Sequence, residues 1–263
     1  MTSLRLSLGL FTIMPVGYVG DVDRQRARNA MLWAPIIGIL IGSIAAAALW
    51  GVHALVPTSL GALLAAVASI GLVAYLTRAL HLDGLADTAD ALGSGKPADV
   101  ALSIARRGDV GPFGVVTILV TLLIQIAALA VLTEAGAGAI ALVMAVATGR
   151  LAATLACTSG IPAARPEGLG ALVAGTVPRW ASTAWTLAAI AAATGVGLVL
   201  IPGAPWMLPV AIVVGLVVAL LLVRRSVRRL GGVTGDVMGA AVEIATTAAL
   251  LVAALAYASS LTW

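Results

Sequence analysis

The chain has 263 residues, of which 61% are hydrophobic and only 10% charged, with a net charge of +4 and a mean hydropathy of +1.11. Ordinary soluble domains are roughly a quarter charged, so a water-soluble globule of this length is excluded, and lipid is the solvent that can accommodate so much apolar surface. The excess of base is too thin to argue for nucleic acid, and the single cysteine, Cys157, excludes an intramolecular disulfide and reads as a small packing residue.

The N-terminus carries Arg5 and a short apolar stretch ending near Pro15-Val16-Gly17. It is too short to span a bilayer and no small-residue cleavage site follows, so an interfacial or re-entrant segment is expected. Seven apolar runs then have the length that a hydrocarbon core of about 30 Å requires. They cover residues 32–55, 60–76, 113–132, 139–157, 180–200, 206–223 and 237–257. The expected fold is all-α, a polytopic helical membrane protein with about seven transmembrane helices forming one integral membrane domain over residues 1–263. Trp33, Trp50, Trp180, Trp206 and Trp263 fall near the proposed ends, where interfacial aromatics belong. The runs are rich in Gly and Ala, which permit close helix packing in lipid.

Threading the chain through seven spans puts the connections near His53, Glu134 and 202–205 on one side. The N-terminus and residues 78–112, 158–179 and 224–236 fall on the other. All 15 Lys and Arg residues then lie on that second side or just inside it. The positive-inside rule makes it cytoplasmic, with the N-terminus in and the C-terminus out, as in the inner membrane of a bacterial cell. Ten of the 11 acids share that side, Glu134 being the exception. The rule concerns Lys and Arg, so the acids need another cause.

The first cause is His81-Leu82-Asp83-Gly84-Leu85-Ala86-Asp87-Thr88-Ala89-Asp90. On a helix, Asp83 and Asp87 are i,i+4 and Asp87 and Asp90 are i,i+3, so the three carboxylates share one face. Their repulsion is tolerable around a divalent cation, and hard oxygen donors suit Mg²⁺, which takes phosphate oxygens as further ligands. The plainer reading is a solvated acidic loop. His81 is a candidate general base at neutral pH, and equally a residue that orients a carboxylate or caps the preceding span.

The second motif is Arg106-Arg107-Gly108-Asp109-Val110-Gly111-Pro112-Phe113-Gly114, where guanidinium groups and a glycine turn at a helix foot offer themselves to phosphate. Its plainer reading is a loop with basic anchors. Arg224-Arg225-Ser226-Val227-Arg228-Arg229 reads as a topology anchor, with a clamp for a polyanion as the alternative. The third motif is Gly231-Gly232-Val233-Thr234-Gly235-Asp236. Its glycines allow a tight turn against a ligand, with Gly232 and Thr234 as contacts. Asp236 either completes the metal site or simply caps a helix start. Glu243 lies seven residues further on, about 10 Å along the axis, too far to share one ion with Asp236.

Arg150 and Glu243 are the charges set clearly inside proposed spans, both roughly 10 Å below the same face. Buried intramembrane charges find partners, so an Arg150–Glu243 ion pair or substrate-linked bridge is expected beneath the metal. Carboxylates for Mg²⁺ and arginines for phosphate at one membrane face read as phosphoryl-type transfer.

At these residues the sequence resembles the cobalamin synthase family, the adenosylcobinamide-GDP ribazoletransferases. The resemblance is carried by His81 through Asp90, by Gly111-Pro112-Phe113-Gly114, by Gly231-Gly232-Val233-Thr234-Gly235-Asp236-Val237-Met238-Gly239-Ala240 and by the opening Phe11-Thr12-Ile13-Met14-Pro15. Before the Gly-Pro-Phe-Gly step, Arg107-Gly108-Asp109 has its basic and acidic positions reversed relative to the family's usual order. The resemblance implies a Mg²⁺-dependent enzyme joining adenosylcobinamide-GDP to α-ribazole or its 5′-phosphate with release of GMP. Asp83, Asp87, Asp90 and Asp236 would hold the metal, and Arg106 and Arg107 would neutralise the diphosphate. Its partners would be these substrates and the bilayer, with no nucleic acid, and the pattern leaves room for an oligomer. A CDP-alcohol phosphotransferase is the next reading, disfavoured by the three-residue separation of Asp87 and Asp90. A transporter is the third, disfavoured because the polar chemistry crowds one face rather than the midplane.

Overall fold

The computed structural model describes residues 2–18, 20–201 and 203–260, the last three by backbone only. Pro202 and Trp263, singled out above, lie outside the described residues. Eleven helices and no strands occur among them: α1 (Thr2–Phe11), α2 (Arg24–Leu55), α3 (Ser59–Leu76), α4 (Leu80–Gly93), α5 (Ala98–Ile104), α6 (Pro112–Glu134), α7 (Gly138–Ala156), α8 (Gly168–Val173), α9 (Arg179–Leu200), α10 (Met207–Leu230) and α11 (Gly235–Ser260). Seven of them, α2, α3, α6, α7, α9, α10 and α11, are long and apolar enough to cross a membrane, and each contains or nearly coincides with one of the seven runs. The short helices α4, α5 and α8 all lie in the connections assigned to the charged face.

Small residues set the core, as lipid-immersed helices require, because chain contact rather than water exclusion must hold them together. Gly38 and Gly42 bring α2 onto α7 so closely that a Cβ would stand 2.8 Å from Ala147 Cα and Val143 Cα respectively. Gly149 does the same for α7 against α11, where a Cβ would meet Thr246 Oγ1 at 2.3 Å and the Val242 carbonyl at 2.8 Å.

The N-terminal helix α1 has 10 residues and packs on α2. It is tied to the end of α3: Ile13 N–H donates to the Leu76 carbonyl at 2.7 Å and the Arg78 guanidinium to that of Gly9 at 3.0 Å. From α3 the chain turns into α4 through two left-handed non-glycine residues, Arg78 (φ 56°) and Ala79 (φ 53°). Such residues cost about 1–2 kcal/mol each, so a strained corner launches the helix that carries the aspartates. At the far edge of the site, α2 begins on an Asp23 cap, whose side chain accepts from Arg26 N–H at 2.7 Å. Arg24 reaches the carbonyls of Ala171 and Ala174, fastening α8 to α2.

Candidate active site

The Gly231–Asp236 motif makes the corner between α10 and α11. Gly231, at φ 83°, closes α10 in the left-handed region that a side chain would resist, its N–H donating to the Val227 carbonyl. Gly232 has a different reason: a Cβ there would stand 2.4 Å from Ala163 C and 2.5 Å from Ala164 N. The loop 158–167 lies against it, fixed by Val233 N–H to the Pro162 carbonyl at 2.9 Å and Ala164 N–H to the Val233 carbonyl at 3.0 Å. Thr234 then starts α11. Its hydroxyl accepts from Val237 N–H at 3.2 Å and donates to Asp236 Oδ2 at 3.1 Å. The cap of this helix is therefore Thr234, and Asp236, half-buried, is left facing other chemistry.

Helix α4 forms as its i,i+4 pattern predicts and crosses α11 at a glycine contact, where a Cβ on Gly84 would lie 2.8 Å from the Asp236 carbonyl. Down this helix Asp83 is exposed, Asp87 half-buried and Asp90 buried. Burial, and then the charges of Asp236, Asp83 and Asp90, push the Asp87 carboxyl up to about 6. Three carboxylates are thus close enough to oppose the ionisation of Asp87.

Asp90 has a role the sequence did not reveal. Gly111 N–H and Gly114 N–H donate to its two oxygens at 2.8 and 3.0 Å, so it caps the N-terminus of α6. The Gly-Pro-Phe-Gly step exists for this contact, since a Cβ at either glycine would come within 2.5 Å of the Asp90 carboxylate. The anion expected at this helix foot is the protein's own side chain. Of the nearby basic loop only Arg106 is brought to the site. Arg107 and Asp109 are exposed and neither lines it.

The cleft beside α11 has a volume of about 310 Å³ and is walled by Arg106, Arg165, Glu167, Thr234 and Asp236. Arg106 pairs with Glu167 at 3.0 Å, both side chains largely exposed, an interaction worth little in water. Arg165 was missed by sequence reasoning. It hydrogen-bonds the Leu102 carbonyl and sits within the fields of Asp236, Asp87, Glu167 and Arg106. Burial and the neighbouring Arg106 guanidinium pull it below the usual arginine range. The available signal was its setting, Pro162-Ala163-Ala164-Arg165-Pro166-Glu167-Gly168, an irregular segment on the charged face.

His81 is buried two residues before Asp83 and stacks on Phe11, ring centroids 5.8 Å apart at 24°. Burial and then the charge of Arg150 hold it well below the usual imidazole range, so it is neutral at physiological pH. It faces Phe11, Met31 and Met238 rather than the cleft. Arg150 and Glu243 are both buried and near enough to act on each other electrostatically. They form no ion pair among the described residues, which corrects the expectation of a direct bridge. Glu243 Oε2 instead accepts from Gln125 Nε2 at 2.9 Å, and Gln125 also donates to Thr247 Oγ1 at 2.8 Å. A neutral amide in α6 was invisible to a search confined to charges. The guanidinium of Arg150 makes one long contact, Nη1 to the Val146 carbonyl at 3.5 Å.

Among the described residues no three His, Cys, Asp or Glu groups stand close enough together to hold an ion by themselves. The carboxylates that suit a hard divalent cation are Asp83, Asp87, Asp90 and Asp236, of which Asp90 also caps α6.

The family model for cobalamin-5-phosphate synthase matches residues 3–254. The chain belongs to this family. Curated relatives named adenosylcobinamide-GDP ribazoletransferase include one from Frankia casuarinae, 42% identical over 182 residues, covering 67% of this chain and 66% of that protein. Another, from Corynebacterium efficiens, is 33% identical over 211 residues, covering 79% and 74%. A third, from Pseudomonas entomophila, is 37% identical over 212 residues, covering 80% and 82%. No solved structure gives a significant match. The family member described here is therefore a multi-pass membrane enzyme of cobalamin assembly.

Proposed function

We propose that the chain carries out the transfer for which its relatives are named, joining adenosylcobinamide-GDP to α-ribazole or its 5′-phosphate. A ribazole hydroxyl forms a new bond to the phosphorus next to cobinamide. The phosphoanhydride bond breaks, GMP leaves with that bond's electrons, and the hydroxyl proton passes to solvent or a nearby carboxylate. The observation that carries this reading is the meeting of Arg106, Arg165 and Asp236 on one cleft, with Asp87 within the fields of Asp236 and Arg165. Arg165, anchored through the Leu102 carbonyl, is positioned to hold diphosphate oxygens, and Arg106 can exchange Glu167 for substrate. Thr234 fixes Asp236 through its hydroxyl, while the Gly84 crossing sets the spacing of Asp236 from α4.

The acids fit Mg²⁺, which commonly takes one or two carboxylates, several waters and substrate phosphate. The residues that would hold it are Asp87 and Asp236, with Asp83 beside them. When bound it would neutralise charge developing on the diphosphate. Asp87 supports this fit, since mutual carboxylate repulsion is the condition a divalent cation relieves. Purified protein given adenosylcobinamide-GDP and α-ribazole should release GMP in the presence of Mg²⁺ and stop in chelator. Absence of GMP under both conditions would sink the assignment, and release unaffected by chelator would remove the metal from it.

We assign the charged face to the cytoplasm, a reading that the Lys and Arg distribution supports. In intact cells a cysteine at Glu134 should react with an impermeant thiol reagent, while cysteines at Lys96 and Glu167 should not. The opposite labelling pattern would invert the topology.

A further inference from the structure

A larger cavity lies away from the cleft. It is a groove of about 1030 Å³ between α9 and α10, floored by Leu155 at the end of α7 and by residues 158–162. This is at or above the upper end of small-molecule sites, roughly 300–1,000 Å³. Its mouth on the charged face carries Arg179, Arg224 and Arg228, all exposed, and its lining holds no acidic side chain. None of the three arginines has an ion-pair partner among the described residues. Arg179 is directed there by its own contact, Nε to the Ser159 carbonyl at 3.3 Å.

Below the mouth the groove is apolar, with Leu187, Ile190, Val213, Val217 and Leu220 in its walls. Its hydroxyls do not make it polar. Thr183 and Thr186 donate to the carbonyls of Arg179 and Ser182 at 3.0 and 2.9 Å, and Thr158 pairs with Ser182 at 2.7 Å. The depth is set by the helices. Arg179 to Ile190 and Arg224 to Val213 are each eleven residues, about 16 Å at 1.5 Å per residue. Half of a hydrocarbon core of about 30 Å is nearly the same length. The groove thus spans one leaflet, cationic where head groups lie and apolar where a chain runs.

The geometry points to a binding site for an anionic phospholipid of the leaflet on the charged side. Its phosphate lies among Arg179, Arg224 and Arg228, and one acyl chain lies between α9 and α10. Arginine in place of a hydrated ammonium suits a phosphate at this depth. A zwitterionic lipid would bring a choline into the same cationic mouth, so the site discriminates by head-group charge.

The test uses the full chain in nanodiscs containing equal phosphatidylglycerol and phosphatidylcholine, transferred to detergent and examined by native mass spectrometry. The wild type should retain one phosphatidylglycerol per chain, preferred by about fivefold or more, in line with the attraction of basic residues near an anionic surface. R179Q/R224Q/R228Q should lose the preference. R225Q, which removes an arginine outside the lining, should keep it. A diazirine-tailed phosphatidylglycerol should cross-link to α9 and α10 peptides, and Thr186→Trp, which fills the groove, should abolish that cross-link even if the triple variant folds poorly. Equal retention of both lipids by the wild type, an equal loss in R225Q, cross-links spread over all spans, or a second copy of the chain captured along α9 would each overturn the proposal.

Discussion

Helices α9 and α11 look alike in sequence and sit at opposite extremes of the molecule. Their best windows have mean hydropathies of 1.7 and 1.9, yet 11% of the first and 78% of the second are buried within the protein. Hydropathy selects what enters a bilayer and does not choose between lipid and protein as neighbours, because a lipid tail is as apolar as leucine. What separates the two helices is polar and small-residue placement. Threonines of both helices bond their own backbone, but on α11 Glu243 and Thr247 also accept from Gln125 of α6 and Gly239 packs on α4, whereas on α9 Trp180, Leu187 and Leu198 face outward. The buried helix carries the polar groups of the candidate site, and the peripheral one forms a wall.

The comparison predicts where substitutions will hurt. The largest effect is expected at the foot of α11. Asp236→Asn should lower kcat by about 10²–10³, the loss typical of removing one group that stabilises transition-state charge, with insertion and purification unchanged. Turnover within a small factor of wild type would detach Asp236 from the site. Next comes a matched glycine pair. Gly149→Ala drives a methyl into Val242 and Thr246 of α11 and should cost about 1–3 kcal/mol of stability. Gly195→Ala in α9 meets nothing within 4 Å and should be neutral or stabilising by up to about 1 kcal/mol. Thermal melts of the two variants in one detergent decide this, and equal shifts would break the contrast. Gln125→Leu removes the donor to Glu243 and should cost about 1–3 kcal/mol, while Thr194→Val on exposed α9 should leave the melting temperature unchanged.

The smallest effect is a pH dependence at Asp87. Its carboxyl is raised from 3.8 to about 6, so its contribution to stability is fully present below the unfolded value and is lost as pH rises through about 6. In metal-free protein Asp87→Asn should therefore raise the melting temperature near about pH 8 and do nothing near about pH 4. Activity runs the other way if the ionised carboxylate is needed, falling as pH drops through about 6. Saturating Mg²⁺ should move that acidic limb lower, since a bound cation favours the carboxylate.

The spans were legible because length and apolarity are local properties. The gathering of Asp83, Asp87 and Asp236 was half legible, as helix spacing gives one face of α4 but not its crossing with α11 at Gly84. Asp90 looked the same as its neighbours in sequence, and only the fold shows that it caps α6. Gln125 and Arg165 were missed for opposite reasons: one is an uncharged residue in an apolar run, the other a common charge in an irregular loop whose path depends on Gly232.

That loop, 158–167, touches two compartments. Its first half floors the groove between α9 and α10, Ala163 bridges to Val233, and Arg165 enters the cleft beside Asp236. Thermodynamic linkage then applies: if a ligand in one compartment favours one position of the loop, a ligand in the other changes the first one's affinity by the same factor. Where that condition holds, substrate affinity becomes a property of the protein together with its surrounding bilayer, and constants measured in detergent and in membranes should differ.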